Sequence, residues 1–207
     1  MPLSVYQCPS ASKERTNSYR DGYGRSCYSG KYGSTILPRW IDGHTDAHWA
    51  GVVPAAIQGR SDNSRSKSSR PATTQTRHVY GTSTGLFSWN SMARIRDVTD
   101  GASNTTIAGE RSKISGVGIW AGVVSNRFET DAVTDASHRS PINHSLTGYS
   151  SEHNGGVYVV LVDGSVRFVI DSIDSRADGT GVFQRIAGKS DGAATPSDAF
   201  TKGPKLF

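Results

Sequence analysis

Long apolar runs are missing from this 207-residue chain. The longest, Val157 to Val162, falls far short of the roughly 18 to 20 residues that span a bilayer, so no membrane-crossing helix is expected. Nor does Met1 open a basic, then apolar, then small-residue leader, and no export signal is expected in this reading frame. Charge is scarce as well: Asp, Glu, Lys and Arg make up 20% of the residues, and 23 basic against 18 acidic leave a net +5. The excess is spread thinly, and its one concentration, Arg60 to Arg77, is rich in Ser and free of aromatics. Surfaces that grip nucleic acid combine cations with stacking rings, so this stretch is expected to be a solvated loop, with no nucleic-acid partner. Cysteine is scarcer still. Cys8 and Cys27 are too few for a disulfide framework and match no zinc signature, which leaves a single bridge between them or a reduced pair.

What is present is glycine, 23 residues of it, among many Ser and Thr, with a 35% hydrophobic fraction that can still build one core. That composition belongs to turn-rich, strand-rich proteins and excludes an all-helical fold. A single domain over 1–207 is expected, in three parts. Residues 1–85 carry no sustained period and read as a long irregular region holding short strands that the pattern does not place. Residues 86–188 read as a sheet with short helices, and 189–207 as a loose tail. Within the middle part, Leu86 to Trp89, Thr105 to Glu110 and Val117 to Val124 are strand candidates, the last apolar almost throughout and therefore central. Asp97 or Thr99 is placed to cap one helical turn ahead of Gly101, and Thr180 to cap a short helix bearing Val182, Phe183 and Ile186 and ending at Gly188. The clearest local signal is the run from Val157 to Ile170. Its Asp163-Gly164 pair between two β-branched stretches predicts a hairpin with a two-residue type I′ turn, with Val166, Phe168 and Ile170 on one face and Ser165, Arg167 and Val169 on the other.

Three segments, in order along the chain, carry a family resemblance. Tyr6-Gln7-Cys8-Pro9-Ser10, then Ser91 to Glu110 with its Asp-Val-Thr-Asp-Gly-Ala-Ser-Asn-Thr core, then His153 followed after nine residues by Asp163-Gly164, together resemble the prepilin-type, pseudopilin-like proteins abundant in planctomycetes. The resemblance runs from about residue 6 to about residue 190. It implies an α+β pseudopilin-like head, an antiparallel sheet preceded by a long variable loop region and flanked by short helices. Relatives place a processed leader and a long hydrophobic helix ahead of this head; here Met1 stands only a few residues before Cys8, so a head without its spine helix, and without a membrane partner, is expected. The implied role is that of a structural or interaction module related to type II secretion and type IV pilus subunits. Its implied partners are other pseudopilin-like subunits or secreted proteins, and its implied location is extracellular or periplasmic, whereas the lack of an export signal points to the alternative of a soluble, cytoplasmic chain.

The chemistry-bearing residues allow further expectations. Asp163 suits its turn for backbone reasons alone, and His153 is placed to fix the start of the strand. Asp171, Asp174 and Asp178 alternate with Ser and Gly in a loop, hard oxygen donors of the kind that suit Ca²⁺, and major pseudopilins commonly bind Ca²⁺ in their C-terminal sheet region. From a different class comes a second expectation: a free-standing Ca²⁺-dependent hydrolase of lactones or short esters, a small acyl substrate polarised by the cation while His153 and Asp163 serve catalysis. His44, Asp46 and His48 offer a weaker transition-metal candidate, and Asp97 with Asp100 a structural one. No nucleophile elbow, phosphate loop or dinucleotide fingerprint is present.

Overall fold

The computed structural model describes residues 1–11, 15–17, 22–34, 83–87, 91–111, 118–119, 132–145, 147–192, 195 and 199–200. Among them seven strands form: β1 (Thr16–Asn17), β2 (Tyr23–Gly24), β3 (Tyr28–Gly33), β4 (Thr106–Glu110), β5 (Val133–Asp135), β6 (Gly156–Leu161) and β7 (Val166–Ile170). β1 and β2 pair with each other, while the rest make one five-stranded sheet in the order β5-β3-β4-β6-β7. Every ladder of that sheet is antiparallel except β3 with β5, which is parallel. Helix among the described residues is confined to 3₁₀ turns at Ser4–Tyr6 and Ile95–Asp97 and to α1 (Val182–Arg185). The expected α+β pseudopilin-like head is therefore corrected to a mostly β fold. No helix among the described residues is long and apolar enough to cross a membrane.

The physical reason lies in the caps. Thr180 does not cap α1: the N-cap is Gly181 with no side-chain bond, and the Thr180 hydroxyl donates instead to Asp178 Oδ1 at 2.7 Å. Asp97 does secure its turn, accepting from the Arg94 N–H at 2.8 Å, but the chain leaves helical geometry already at Val98, with φ −92° and ψ 83°. Helices this short lie below the length at which propagation repays nucleation, and they persist because they pack. Phe183, Gln184 and Ile186 are all buried, and Gln184 Nε2 donates to Ala136 O and to Ser175 Oγ at 2.6 and 2.8 Å.

The hairpin forms over β6 and β7, from Gly156 opposite Ile170 to Val160 opposite Val166. Its turn differs from the expected one. The Leu161 and Ser165 backbones still pair, the Gly164 N–H donates to Leu161 O at 2.9 Å, and only Gly164, at φ +85°, turns left-handed. Val162, Asp163 and Gly164 thus make a three-residue loop, a type I turn closed by a glycine bulge, rather than type I′. The faces alternate as expected, and the one bearing Val169 is turned to the main core. Val169, not Phe168, points with Val157, Val159 and Leu161 into the main core, where Tyr149, Ile142, Phe183 and Ile186 cover them. Phe168 lies on the opposite face against Tyr158, ring centroids 5.0 Å apart, and Val166 is 57% exposed. Both faces of the sheet are covered in its middle, which is why β6 reads as an unbroken apolar run.

Of the other strand candidates, Thr105 to Glu110 appears as β4 from Thr106, whereas Leu86 lies in a bend, Phe87 in no regular element, and Ser88 and Trp89 lie outside the described residues. Within Val117 to Val124 only Gly118 and Ile119 are described, and Ile119 bridges Arg25. β3 had no sequence signal because Gly30, Lys31 and Gly33 are poor strand formers. Gly30 is there for space, since a Cβ would stand 2.7 Å from the Phe87 ring. The start of the tail is anchored: the Lys189 N–H donates to Thr84 O and its Nζ to Gly85 O, and Ala199 reaches the core.

The core face of β3 carries a buried cation. Lys31 is fully buried, with Nζ 4.0 Å above the centre of the Tyr149 ring and 4.7 Å from that of Phe183. Burial lowers its pKa to about 7, partly offset by the Asp135 carboxylate. An unfolded lysine holds its proton up to its ordinary value of 10.5, so above about pH 7 the unfolded chain binds more protons and stability rises with pH. The buried thiols Cys8 and Cys27, raised from 9.0, act in the opposite sense above their ordinary value. The clean window is therefore about pH 7 to about pH 9. Urea midpoints are expected to climb across that window by the equivalent of a few kcal/mol, and in Lys31→Met the climb should vanish; an unchanged slope in the variant would remove Lys31 as its source.

Candidate functional site

Alternation along β4 and β6 sends Gly109 and Val159 to the core face and Glu110, with Tyr158, to the other. Glu110 is thereby buried on the face that the N-terminal residues cross. Tyr6 O accepts from the Cys27 N–H at 2.7 Å, and Gln7 Nε2 donates to Arg25 O, which lays Cys8 over the end of β4. The Cys8 thiol donates to Glu110 Oε1 at 3.5 Å and lies 3.9 Å from His153 Nε2. The same imidazole nitrogen is 3.2 Å from Glu110 Oε1. The other carboxylate oxygen, Oε2, accepts from the Tyr158 N–H at 2.8 Å. Tyr158 also meets the His153 ring edge-on, centroids 5.1 Å apart.

His153 reaches this position through its own loop. Its N–H donates to Ser151 Oγ, Gly155 turns left-handed at φ +77°, and Gly156 has no room for a side chain beside Val169 O and the Phe168 ring. The Asn-Gly-Gly run after His153 is thus the hinge that returns the chain into β6 while leaving the imidazole over β4. The site is largely dry: Cys8 is 6% exposed, and the His153 and Glu110 side chains 14% and 5%. Burial, reinforced by the Glu110 carboxylate, pushes the Cys8 thiol pKa up, and burial likewise raises Cys27, whose sulfur takes a hydrogen bond from the Cys8 N–H. Tyr28, also on this face, is pushed up to about 12, first by burial and then by the negative charge of Cys8, Glu110 and Cys27 around it.

Among the described residues, Cys8, Glu110 and His153 are a trio of metal-ligating side chains whose donor atoms lie within 4.8 Å of one another. The expected groupings are arranged otherwise. Cys8 and Cys27 are both buried and free in this structure, and the Cys8 thiol bonds Glu110. His153 and Asp163 stand beyond opposite ends of β6, a strand of about 20 Å, and so cannot act on one atom. Asp163 Oδ1 accepts from the N–H and hydroxyl of Ser165, and Asp178 Oδ1 from those of Thr180. These bonds, the hydroxyl's leading for Asp163 and the N–H's for Asp178, hold both carboxyls below the usual range. Asp174 pairs with Arg176 Nε at 3.0 Å, and the Asp171 N–H donates to Gly155 O. The carboxylates of Asp174 and Asp178 are engaged with close neighbours in sequence, and among the described residues the three calcium candidates are not drawn into one cluster. Asp100 clasps the chain after α1, accepting from the Asp191 and Gly192 N–H groups at 2.7 and 3.0 Å. His44, Asp46 and His48 lie outside the described residues, as does Arg60 to Arg77.

Glu110 is the residue that sequence reasoning missed. As the last residue of an alternating strand it looks like a solvated end, and its partners are 102 and 48 residues away for Cys8 and Tyr158. Glu110→Ala leaves the Tyr158 N–H without its acceptor and is expected to destabilise the fold by about 1–3 kcal/mol. Glu110→Gln, which keeps an acceptor oxygen, should lose less, as denaturant titration of both variants would show.

No curated protein and no solved structure matches the chain. A match over residues 2–176 covers all three segments that meet at Cys8, Glu110 and His153, and it comes from a family associated with planctomycete prepilin-like proteins. On that match the chain belongs to the family described as protein of unknown function (DUF1559).

Proposed function

We propose that the chain is a structural or interaction module of the pseudopilin-like kind, working beside sister subunits or secreted proteins. The observation that carries this reading is the meeting of the three resemblance segments at one buried cluster. Cys-Pro-Ser supplies Cys8, the segment from Ser91 supplies Glu110 as its last residue, and the His-x9-Asp-Gly segment supplies His153. A subunit of an assembly has to pass load between its N-terminal segment and its head. The Cys8, Glu110 and His153 contacts, with the Tyr6 to Cys27 bond beside them, tie residues 6–8 to β3, β4 and the start of β6, the middle of the sheet.

The exposed apolar side chains supply contact surface. Met92 is 80% and Ile95 72% exposed at the start of the second resemblance segment, and Val166 projects from the edge strand β7. Among the described residues β7 is the edge strand of the sheet, and an edge strand can take a partner's strand.

The test is photo-cross-linking in the source cells from residues substituted at Ile95 and Val166, with buried Val159 as control. Adducts with proteins carrying the same three segments, or with secreted proteins, are the expected result. Absence of protein adducts from both surface positions, or turnover of acyl lactones that disappears in His153→Ala, would overturn the proposal.

A further inference from the structure

The cluster at Cys8 has a geometry that a hydrogen-bonded clamp does not require. In a proton relay the acid and the nucleophile occupy different imidazole nitrogens; here Cys8 Sγ and Glu110 Oε1 both approach His153 Nε2, at 3.9 and 3.2 Å, and each other at 3.5 Å. Three donor atoms facing one point is the arrangement of a cation site. For tetrahedral zinc at its usual bond lengths the corresponding edges are about 3.6 Å for sulfur to nitrogen, about 3.3 Å for nitrogen to oxygen and about 3.5 Å for sulfur to oxygen. Two of the three edges already match, and the third needs a shift of a few tenths of an ångström.

We propose that Cys8 Sγ, Glu110 Oε1 and His153 Nε2 form a three-ligand site for a divalent cation of the zinc class. The donor set selects the metal. A thiolate with an imidazole disfavours Ca²⁺ and Mg²⁺, which take oxygen, and suits Zn²⁺ or Co²⁺. Charge balances as well, since a thiolate, a carboxylate and a neutral imidazole carry two negative charges against the cation's two positive ones. The ligands are held ahead of binding: the Tyr158 N–H occupies Glu110 Oε2 and leaves Oε1 turned toward Cys8 and His153, and the Tyr158 ring fixes the plane of His153. The ligands come from three segments distant in sequence, and a cation joining them closes long loops that the native fold alone would otherwise have to close. The slight exposure of His153 leaves the fourth position to a solvent molecule.

The test uses the full chain, reduced, stripped with a chelator and titrated with Co²⁺. One equivalent should produce a thiolate-to-cobalt charge-transfer band with the intense visible absorption of tetrahedral cobalt, and Zn²⁺ should bleach both. The band should vanish in Cys8→Ser, persist in Cys27→Ser and in Asp163→Asn, and need at least about tenfold more metal in Glu110→Gln. Circular dichroism establishes that each protein is folded. A folded wild-type chain that gives no band, or a band that survives Cys8→Ser or is lost in Cys27→Ser, would overturn the site. None of these readouts depends on partner capture, so this site and the proposed role stand or fall separately.

Discussion

A buried carboxylate organises one whole face of this protein. Glu110 stands at the end of β4, and a negative charge there, away from water, persists only if its oxygens are satisfied. One oxygen takes the backbone of β6 through Tyr158, and the other faces the Cys8 thiol and the His153 imidazole. Strand pairing, the path of residues 6–8 and the loop before β6 all meet that single requirement. Cys8 and His153, from two of the three resemblance segments, are thus among the residues that keep this carboxylate from being orphaned.

The opposite face answers a mirror-image problem. Lys31 is enclosed by the Tyr149 and Phe183 rings, with Asp135 on the neighbouring parallel strand β5. Asp135 in turn accepts from the Ser137 N–H and hydroxyl. Buried polar residues crowd this side of the sheet, among them Thr134, Ser140, Thr147 and Gln184. Such a core trades apolar burial for directional bonds, and its register is set by hydrogen-bond partners as much as by shape. A chain with only 35% hydrophobic residues can close a five-stranded sheet on those terms.

The sequence was most legible where the cause is local. Asp-Gly between β-branched runs announced the hairpin, and the Asp-Gly-Ser and Asp-Gly-Thr triplets at 163–165 and 178–180 fold into the same carboxylate-capped turn, each with its glycine near φ +80°. Those triplets were available to sequence reasoning as turns, and the calcium expectation at Asp178 passed over the Thr180 that occupies its carboxylate. The turn type was not legible, because one left-handed residue or two depends on how Leu161 and Ser165 pair. Long-range features were silent for a physical reason. β3 contains Gly30, which the Phe87 ring explains, and Gly33, which the close approach of Thr84 and Gly85 explains, and the Cys8 to His153 contact joins residues 145 apart. Two cysteines near each other in sequence suggested each other as partners, while a strand far downstream supplies the carboxylate that the Cys8 thiol meets.

The strand order has a temporal side. In the order β5-β3-β4-β6-β7 the only neighbours close in sequence are β6 and β7, the last pair to be made. As the chain emerges residue by residue, β3 waits for β4 and then β5, and the N-terminal cysteine waits for His153 before its pocket exists. Cys8 thus emerges well before the residue that completes its surroundings. Until the C-terminal hairpin is complete, a thiol and half a sheet remain open, so the interval between synthesis and closure is when this protein is most exposed to chaperones, oxidants and proteases.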